Sequence, residues 1–189
     1  MGIDFGLKTF LFLSDNTEIE SPLFHLKNLS KLKKLNRNLS TKKKGSNARK
    51  KAKMNLAKLH IKITNQRKDY FHKLSNRLVN TYDNIFIEDL NIKAMQMIWG
   101  RKISDLAFSE FVNILSYKTK IVKIDRFYPS SKICSNCGSI KKELDLKIRI
   151  YKCDNCNIEI DRDLNASINI KRVGISTLAG ETVRATIVA

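Results

Sequence analysis

Four cysteines and three carboxylates are the residues of this sequence best placed to do chemistry. Cys134-Ser135-Asn136-Cys137 and Cys153-Asp154-Asn155-Cys156 are each a C-x2-C pair, and fifteen residues, 138 to 152, separate them. A tight turn presenting two thiolates, twice over, suits one tetrahedral ion, and the spacing is that of a zinc ribbon. Four soft ligands leave no open position, so the zinc expected here is structural; an iron–sulfur site is the alternative. Gly138 follows the first pair and Asn157 the second, and both residue types tolerate the left-handed backbone of such a turn. The segment has too little apolar mass to fold without its ion, so metal binding and local folding should be coupled.

The carboxylates are Asp4 in GIDFG, Glu88 at the end of FIEDL and Asp163 in IDRDLN. Each adjoins apolar residues that fix its backbone in or beside a core. Acids gathered there repel one another and have raised pKa values unless a cation sits among them. Mg²⁺ or Mn²⁺ prefers such oxygens. Two such ions can clamp a scissile phosphate, one helping a water ionise and the other stabilising the leaving 3′ oxygen, to give a 5′ phosphate and a 3′ hydroxyl. Spacing alone leaves Asp89 and Asp161 as competitors, Asp161 also as a capping residue, and Asn165 as a group that orients a ligand. Acids at strand ends are also common as solvated turn residues. His25, His60 and His72 fall in or beside basic helices and read as solvated or interhelical. No Ser-His-Asp or Cys-His arrangement offers a side-chain nucleophile.

Charge points to the substrate. The chain has 189 residues and a formal charge of +18. Eighteen Lys or Arg lie between Lys27 and Arg77 against one acid, Asp69, so one segment carries nearly the whole excess. Such a surface attracts a polyanion, with Lys42, Lys43, Lys44, Arg49, Lys50 and Lys51 as the expected phosphate contacts and nucleic acid as the expected partner. A hydrophobic fraction of 42% argues against a disordered chain, and few prolines and glycines argue against a fibrous one. No apolar run reaches membrane-spanning length, and the N-terminal residues lack the features of a secretory signal. Cysteines in close pairs suit a reducing compartment. The expected location is cytoplasmic and nucleoid-associated, with no membrane partner.

The elements that must position these residues can be read coarsely. Ile3, Phe5, Thr9 to Leu13 and Thr17 to Glu20 fit short strands with tight turns. Leucines three or four apart predict an amphipathic helix over 25–40, and a longer one runs from about Ala48 to Asn80, the two forming an antiparallel pair with a basic tip. Asn84 to Ile87 reads as a buried strand. Residues 92–102 read as a flexible or irregular crossing, with Met95, Met97, Ile98 and Trp99 expected in the core and the lining of a groove as the alternative. Ser104 is a candidate cap for a helix to about Thr119. Ile121 to Ile124 is a strand, Lys147 to Lys152 a ribbon strand and Arg162 to Ile170 a helix; the tail beyond Gly174 is expected to be weakly ordered. The sum is an α/β chain with two grafts, one helical and basic, the other held by metal.

The ordered segments GIDFG, QRKDYFHKLSNRLVNTYDNIFIEDLNIKAM, DRFYPSSKICSNCG and YKCDNCNIEIDRDLNASINI resemble the TnpB family of proteins that accompany IS200/IS605-type and IS607-type insertion sequences. The resemblance implies an RNase H-like (RuvC) fold with an inserted basic helical pair and a zinc ribbon, and an RNA-guided DNA endonuclease related to Cas12 effectors. It implies Asp4, Glu88 and Asp163 as the catalytic magnesium ligands and Cys134, Cys137, Cys153 and Cys156 as the zinc ligands. It also implies a helical pair that contacts a guide–target duplex. The corresponding partition is a split RuvC domain over 1–130 and 160–175, the helical insertion over 25–80, the ribbon over 131–159 and a tail over 176–189. Family members usually carry a long region before the first aspartate that holds the guide RNA; here that acid is residue 4, so a truncated or split protein is expected. The alternatives are a catalytically inactive nucleic-acid-binding remnant or regulator, and a zinc-ribbon interaction protein unrelated to cutting.

Overall fold

In the computed structural model, which describes residues 1–145, 148–180 and 185–188, the chain divides into two compact units, residues 1–21 with 76–189 and residues 22–75.

The first unit is built on a six-stranded sheet. β1 (Gly2–Phe5) and β2 (Thr9–Leu13) form an antiparallel hairpin, and β3 (Glu18–Glu20) extends it. β4 (Ile85–Glu88) lies parallel to β1 on its other side, and β5 (Ile121–Ile124) parallel to β4. A last strand, Ala185–Val188, pairs antiparallel with β5. The order β3-β2-β1-β4-β5, mixed with helices, is consistent with an RNase H-like fold.

Alternation along these strands decides which helix covers which face. Ile3 and Phe5 point to one side with Phe10, and there the rings of Phe5 and Phe10 meet Phe108 at centroid distances of 5.0 and 5.4 Å. Phe108 and Phe111 belong to α5 (Phe108–Ser116), whose buried Phe108, Phe111, Ile114 and Leu115 recur at helical spacing. Such ring pairs contribute about 0.5–1.5 kcal/mol each beyond the area they bury. Gly2, Asp4, Phe86 and Glu88 take the opposite face, covered by α6 (Arg162–Leu178). The approach is close. A Cβ on Gly2 would meet the Ser167 carbonyl at 2.1 Å, and one on Gly174 the Phe86 ring at 2.0 Å. Phe86, Val122, Ile124, Ile170 and Val173 form the core beneath.

Between Ser130 and α6 the chain builds a small module. Two strands, β6 (Ile150–Lys152) and β7 (Glu159–Asp161), pair antiparallel around buried Tyr151, and an isolated bridge joins Ile133 to Ile140.

The second unit is helical. α1 (Phe24–Lys27) and α2 (Leu29–Ser40) are separated at Asn28, whose side chain turns back to the Phe24 carbonyl at 2.8 Å. α3 (Asn47–Thr81) is the long helix. Leu32, Leu59 and Ile63 form the seam between α2 and α3, flanked by Phe24, Leu35 and Leu56.

Three expectations are corrected. Residues 92–102 are helical, not an irregular crossing: α4 (Ile92–Leu106) starts from Asn91, whose side chain accepts from Ala94 N at 3.1 Å. The helix kinks at Gly100 (φ 39°), and Met97, Ile98 and Trp99 face solvent instead of the core, Met97 being 87% exposed. Ser104 lies inside α4 and donates to the Gly100 carbonyl; α5 begins only after Ala107, which adopts φ 50°. Beyond Gly174, α6 runs on to Leu178 and residues 185–188 pair with β5; residues 181–184 and 189 of the expected tail, and Leu146 and Lys147, lie outside the described residues.

Candidate active site and metal centre

Two of the three singled-out acids stand side by side. The parallel register pairs Gly2 with Phe86 and Ile3 with Ile87, so Asp4 and Glu88 follow as neighbours on one face, at the carboxyl ends of β1 and β4. Asp163 comes from a distant part of the sequence, in the first turn of α6, the helix lying on that face. Their electrostatics record the proximity. Burial raises the Asp4 carboxyl to about 7, with the Asp163 charge adding to the rise and Arg162 opposing it. Burial likewise raises Glu88 to about 8, followed by repulsion from Asp4.

Arginines temper this negative cluster. Arg149 Nη1 donates to Asp163 Oδ2 at 3.2 Å, and Arg162 donates to Oδ1 at 3.2 Å. Neither arginine was singled out from the sequence. Arg149 reaches the site only because β6 pairs with β7, with Arg162 N donating to the Arg149 carbonyl at 2.7 Å. The available signal was modest: Arg162 stands between two aspartates, and Arg149 in an alternating stretch, IRIYK.

The competing acids have other work. Asp161 caps α6, accepting from Asp163 N at 2.8 Å and Leu164 N at 3.1 Å. Asp89 pairs with Arg126 and, at 3.8 Å, with Lys123. Glu88 and Asp89 also border a cavity of about 160 Å³, floored by Ile87, Phe108 and Val112 and rimmed by Ser109, Asn113 and Lys123.

The four cysteines form the tightest ligand set. Their sulfurs all lie within 4.8 Å of one another, and among the described residues no other three or more acids, cysteines or histidines meet that closeness. The Asp163 charge acts on Asp4 and the Asp4 charge on Glu88, without the three acids closing into so compact a cage. Both cysteine turns repeat one geometry: Gly138 N donates to the Cys134 carbonyl and Asn157 N to the Cys153 carbonyl, with φ of 77° and 56°. Ser139 Oγ lies 3.2 Å from Cys137 Sγ and 3.1 Å from Cys153 Sγ. Its hydrogen bond is the largest cause holding Cys137 down to about 5. Burial instead pushes Cys134 up to about 11. The set can coordinate a metal, and a cation would release the proton that burial retains on Cys134.

α6 connects the two sites. Asn165 accepts from Ser135 N at 2.8 Å and donates to the Ile133 carbonyl at 2.7 Å. Asn169 donates to the Ser130 and Ile133 carbonyls, and Arg172 to the Ser135 carbonyl. Asn165, singled out as a ligand-orienting residue, therefore holds the first cysteine turn.

The expected phosphate contacts belong to the second unit. Lys42, Lys43 and Lys44 occupy the turn between α2 and α3; Lys43, Lys44, Lys50 and Lys51 are exposed. Arg49 differs, for its Nη1 donates to the Leu39 and Lys42 carbonyls at 2.9 and 3.0 Å and closes that turn.

A family model described as "Probable transposase", that of IS605 OrfB, matches residues 1–98, just over half of the chain. The chain belongs to this family. A second model, the TNB domain of Cas12f1-like proteins, matches residues 108–170, in keeping with a TnpB/Cas12f1-like member. Relatives of this IS605 OrfB chain include a "Putative RNA-guided DNA endonuclease" of Streptomyces pristinaespiralis, 38% identical over 97% of this chain and 48% of its own. "TnpB-like protein L79" of Acanthamoeba polyphaga mimivirus is 36% identical over 92% of this chain and 37% of its own. InsQ of Escherichia coli K12, also described as a "Putative RNA-guided DNA endonuclease", is 31% identical over 97% of this chain and 51% of its own. The chain thus spans about half the length, or less, of these relatives. A solved Cas12f1–sgRNA–target DNA complex shares the fold, with a TM-score of 0.63 at 22% identity over 89% of this chain and 37% of that one.

Proposed function

We propose that this IS605 OrfB-family chain is a transposon-associated RuvC-type endonuclease module that hydrolyses DNA phosphodiester bonds at Asp4, Glu88 and Asp163. The observation that supports the reading is that Asp4 and Glu88 lie on adjacent parallel strands and that the Asp163 charge, from the first turn of α6, acts on Asp4. Asp4 and Glu88, whose charged forms are disfavoured by burial first and by neighbouring acids second, offer oxygens suited to hard divalent cations. A looser set than a single-ion cage suits two ions, which when bound would activate a water and stabilise the leaving 3′ oxygen. The chain's own part is to hold the oxygens. Asp161 fixes the helix start that aims Asp163, and Arg149 and Arg162 neutralise Asp163 from the side.

The cysteine set fits structural zinc. Sulfurs at about 2.3 Å from one ion in a tetrahedron stand roughly 3.8 Å apart, and the Cys134–Cys156 and Cys137–Cys153 sulfurs are 3.6 Å apart. In this reading residues 131–159 are the ribbon and 25–80 the basic insertion, whose lysines contact a guide RNA–target DNA duplex. The names of the relatives support an RNA-guided activity in a longer or completed assembly.

The test is Mg²⁺-dependent cleavage of single-stranded DNA by the chain, with and without co-purified RNA, compared with Asp4→Ala, Glu88→Ala and Asp163→Ala. Each variant should lose at least about a hundredfold in rate, as for groups that stabilise developing charge, while DNA binding is largely kept. Undiminished cutting by all three would overturn the assignment. No cutting by any form, with binding intact, would favour a nucleic-acid-binding remnant.

A further inference from the structure

We propose that Phe127 is a stacking platform for a base of single-stranded DNA lying across the carboxylate site. The proposal rests on the nuclease reading above. All nine phenylalanines are among the described residues, and eight are buried or partly buried. Phe127 alone is exposed, at 86%.

Its position is fixed on every side. Asp125 Oδ1 accepts from Phe127 N at 2.7 Å, and Tyr128 N donates to the Asp125 carbonyl at 3.0 Å, so the turn is closed on itself. Arg126, the preceding residue, pairs with Asp89, the residue after Glu88. Tyr128, the following residue, packs against the core of Phe86, Val122, Ile124, Ile170 and Val173. An aromatic side chain held between two anchored neighbours, with its own ring in solvent, has little to do in folding.

The sheet places Phe127 at the same edge as the acids. β1, β4 and β5 are parallel, so their carboxyl ends share one edge, and Glu88 pairs with Ile124. Phe127 follows Ile124 by three residues. Strand spacing of about 4.8 Å and at most about 3.6 Å per residue put it on the order of 10–15 Å from Glu88. A strand with a phosphate at Glu88 passes this ring.

The occupant is argued from chemistry. The site at the edge would take a phosphodiester, and the chain carries +18. A partner that is anionic along its backbone yet offers flat apolar faces is an unpaired nucleic-acid strand; in a duplex those faces are already stacked. Stacking on an aromatic ring tolerates any base. Arg126 and Lys123 supply positive charge on the same edge.

The experiment compares the full chain with Phe127→Ala, Phe127→Leu and Phe127→Trp. Binding is measured by fluorescence anisotropy in Ca²⁺ buffer, using a single-stranded dT oligonucleotide, the same length carrying abasic sites, and a duplex. Phe127→Ala should bind the dT strand about tenfold more weakly, Phe127→Leu should share that loss, and Phe127→Trp should restore binding. The abasic strand and the duplex should not distinguish Phe127→Ala from the parent, and the salt slope should stay the same. Equal losses on the abasic strand, an unchanged dT affinity or full rescue by leucine would each overturn the proposal. Cleavage in Mg²⁺ on the same dT strand separates the two readings. A binding loss without cutting by the parent supports stacking and overturns the nuclease reading, whereas cutting with unchanged binding in Phe127→Ala overturns stacking alone.

Discussion

Asp4 and Glu88 titrate near neutrality, at about 7 and about 8, because burial first, and then repulsion from Asp163 at Asp4 and from Asp4 at Glu88, disfavours their charged forms. In the unfolded chain both ionise near pH 4. Between the two ranges the folded state binds more protons, so these groups favour folding at low pH, and that contribution is lost as pH rises from about 4 through about 8. In magnesium-free buffer the unfolding temperature should therefore fall by several degrees between pH 5 and 8, at about 2–4 °C per kcal/mol for a chain of this size. Asp4→Asn should flatten that fall and be the more stable protein at pH 8. Thermal unfolding followed by circular dichroism checks it, and a parallel pH profile in Asp4→Asn and the parent would refute the electrostatic picture. These acids were legible because each interrupts an apolar strand. Arg149 was not, since its pairing with Asp163 depends on a hairpin whose register no local pattern announces.

α6 carries two faces at once. Asp163, Ser167, Lys171 and Gly174 recur on the side that lies on the sheet, while Asn165, Asn169 and Arg172 recur on the side that grips the cysteine turn. Both are helical spacings, interleaved, and a search for a single apolar stripe sees only Leu164, Ile168 and Ile170. That stripe therefore predicts a helix only to Ile170, whereas α6 continues through Gly174 to Leu178. α4 escapes for another reason: Met97, Ile98 and Trp99 point outward just before the kink at Gly100, whereas Ile103 and Leu106 beyond it are buried, so no continuous inward stripe runs along the helix. Gly174 sits within α6 because a side chain there would strike Phe86, itself 2% exposed and unable to swing away. The sign of one substitution tests this. On a solvent face, glycine to alanine in a helix stabilises by about 1 kcal/mol. Gly174→Ala should instead destabilise by about 1–3 kcal/mol through overpacking, read from the urea midpoint. A more stable variant would mean that α6 does not lie so close to β4.

At the scale of the molecule, charge and chemistry are divided between units. The strand-borne acids belong to the sheet unit, and nearly the whole positive excess to the helical one, a division visible in the sequence because Lys and Arg are counted without knowing the fold. What counting misses is which cations are engaged. Lys43, Lys44, Lys50 and Lys51 are exposed, whereas Arg49 donates to the Leu39 and Lys42 carbonyls and shapes the turn that displays Lys42, Lys43 and Lys44. A cation that meets a phosphate releases a counterion, which steepens the salt dependence of binding by about 0.7 for single-stranded and 0.9 for double-stranded DNA per contact. Replacing Lys42, Lys43 and Lys44 together with glutamine should flatten the slope by roughly 2–3 units while leaving the unfolding temperature nearly unchanged. Arg49→Gln should do the reverse, lowering the unfolding temperature with little change in slope, because its guanidinium is occupied by carbonyls. Titrations of the two variants against one duplex over a range of NaCl concentrations decide the matter. If Arg49→Gln flattens the slope as much as the triple variant, its charge reaches DNA and the turn is held by something else.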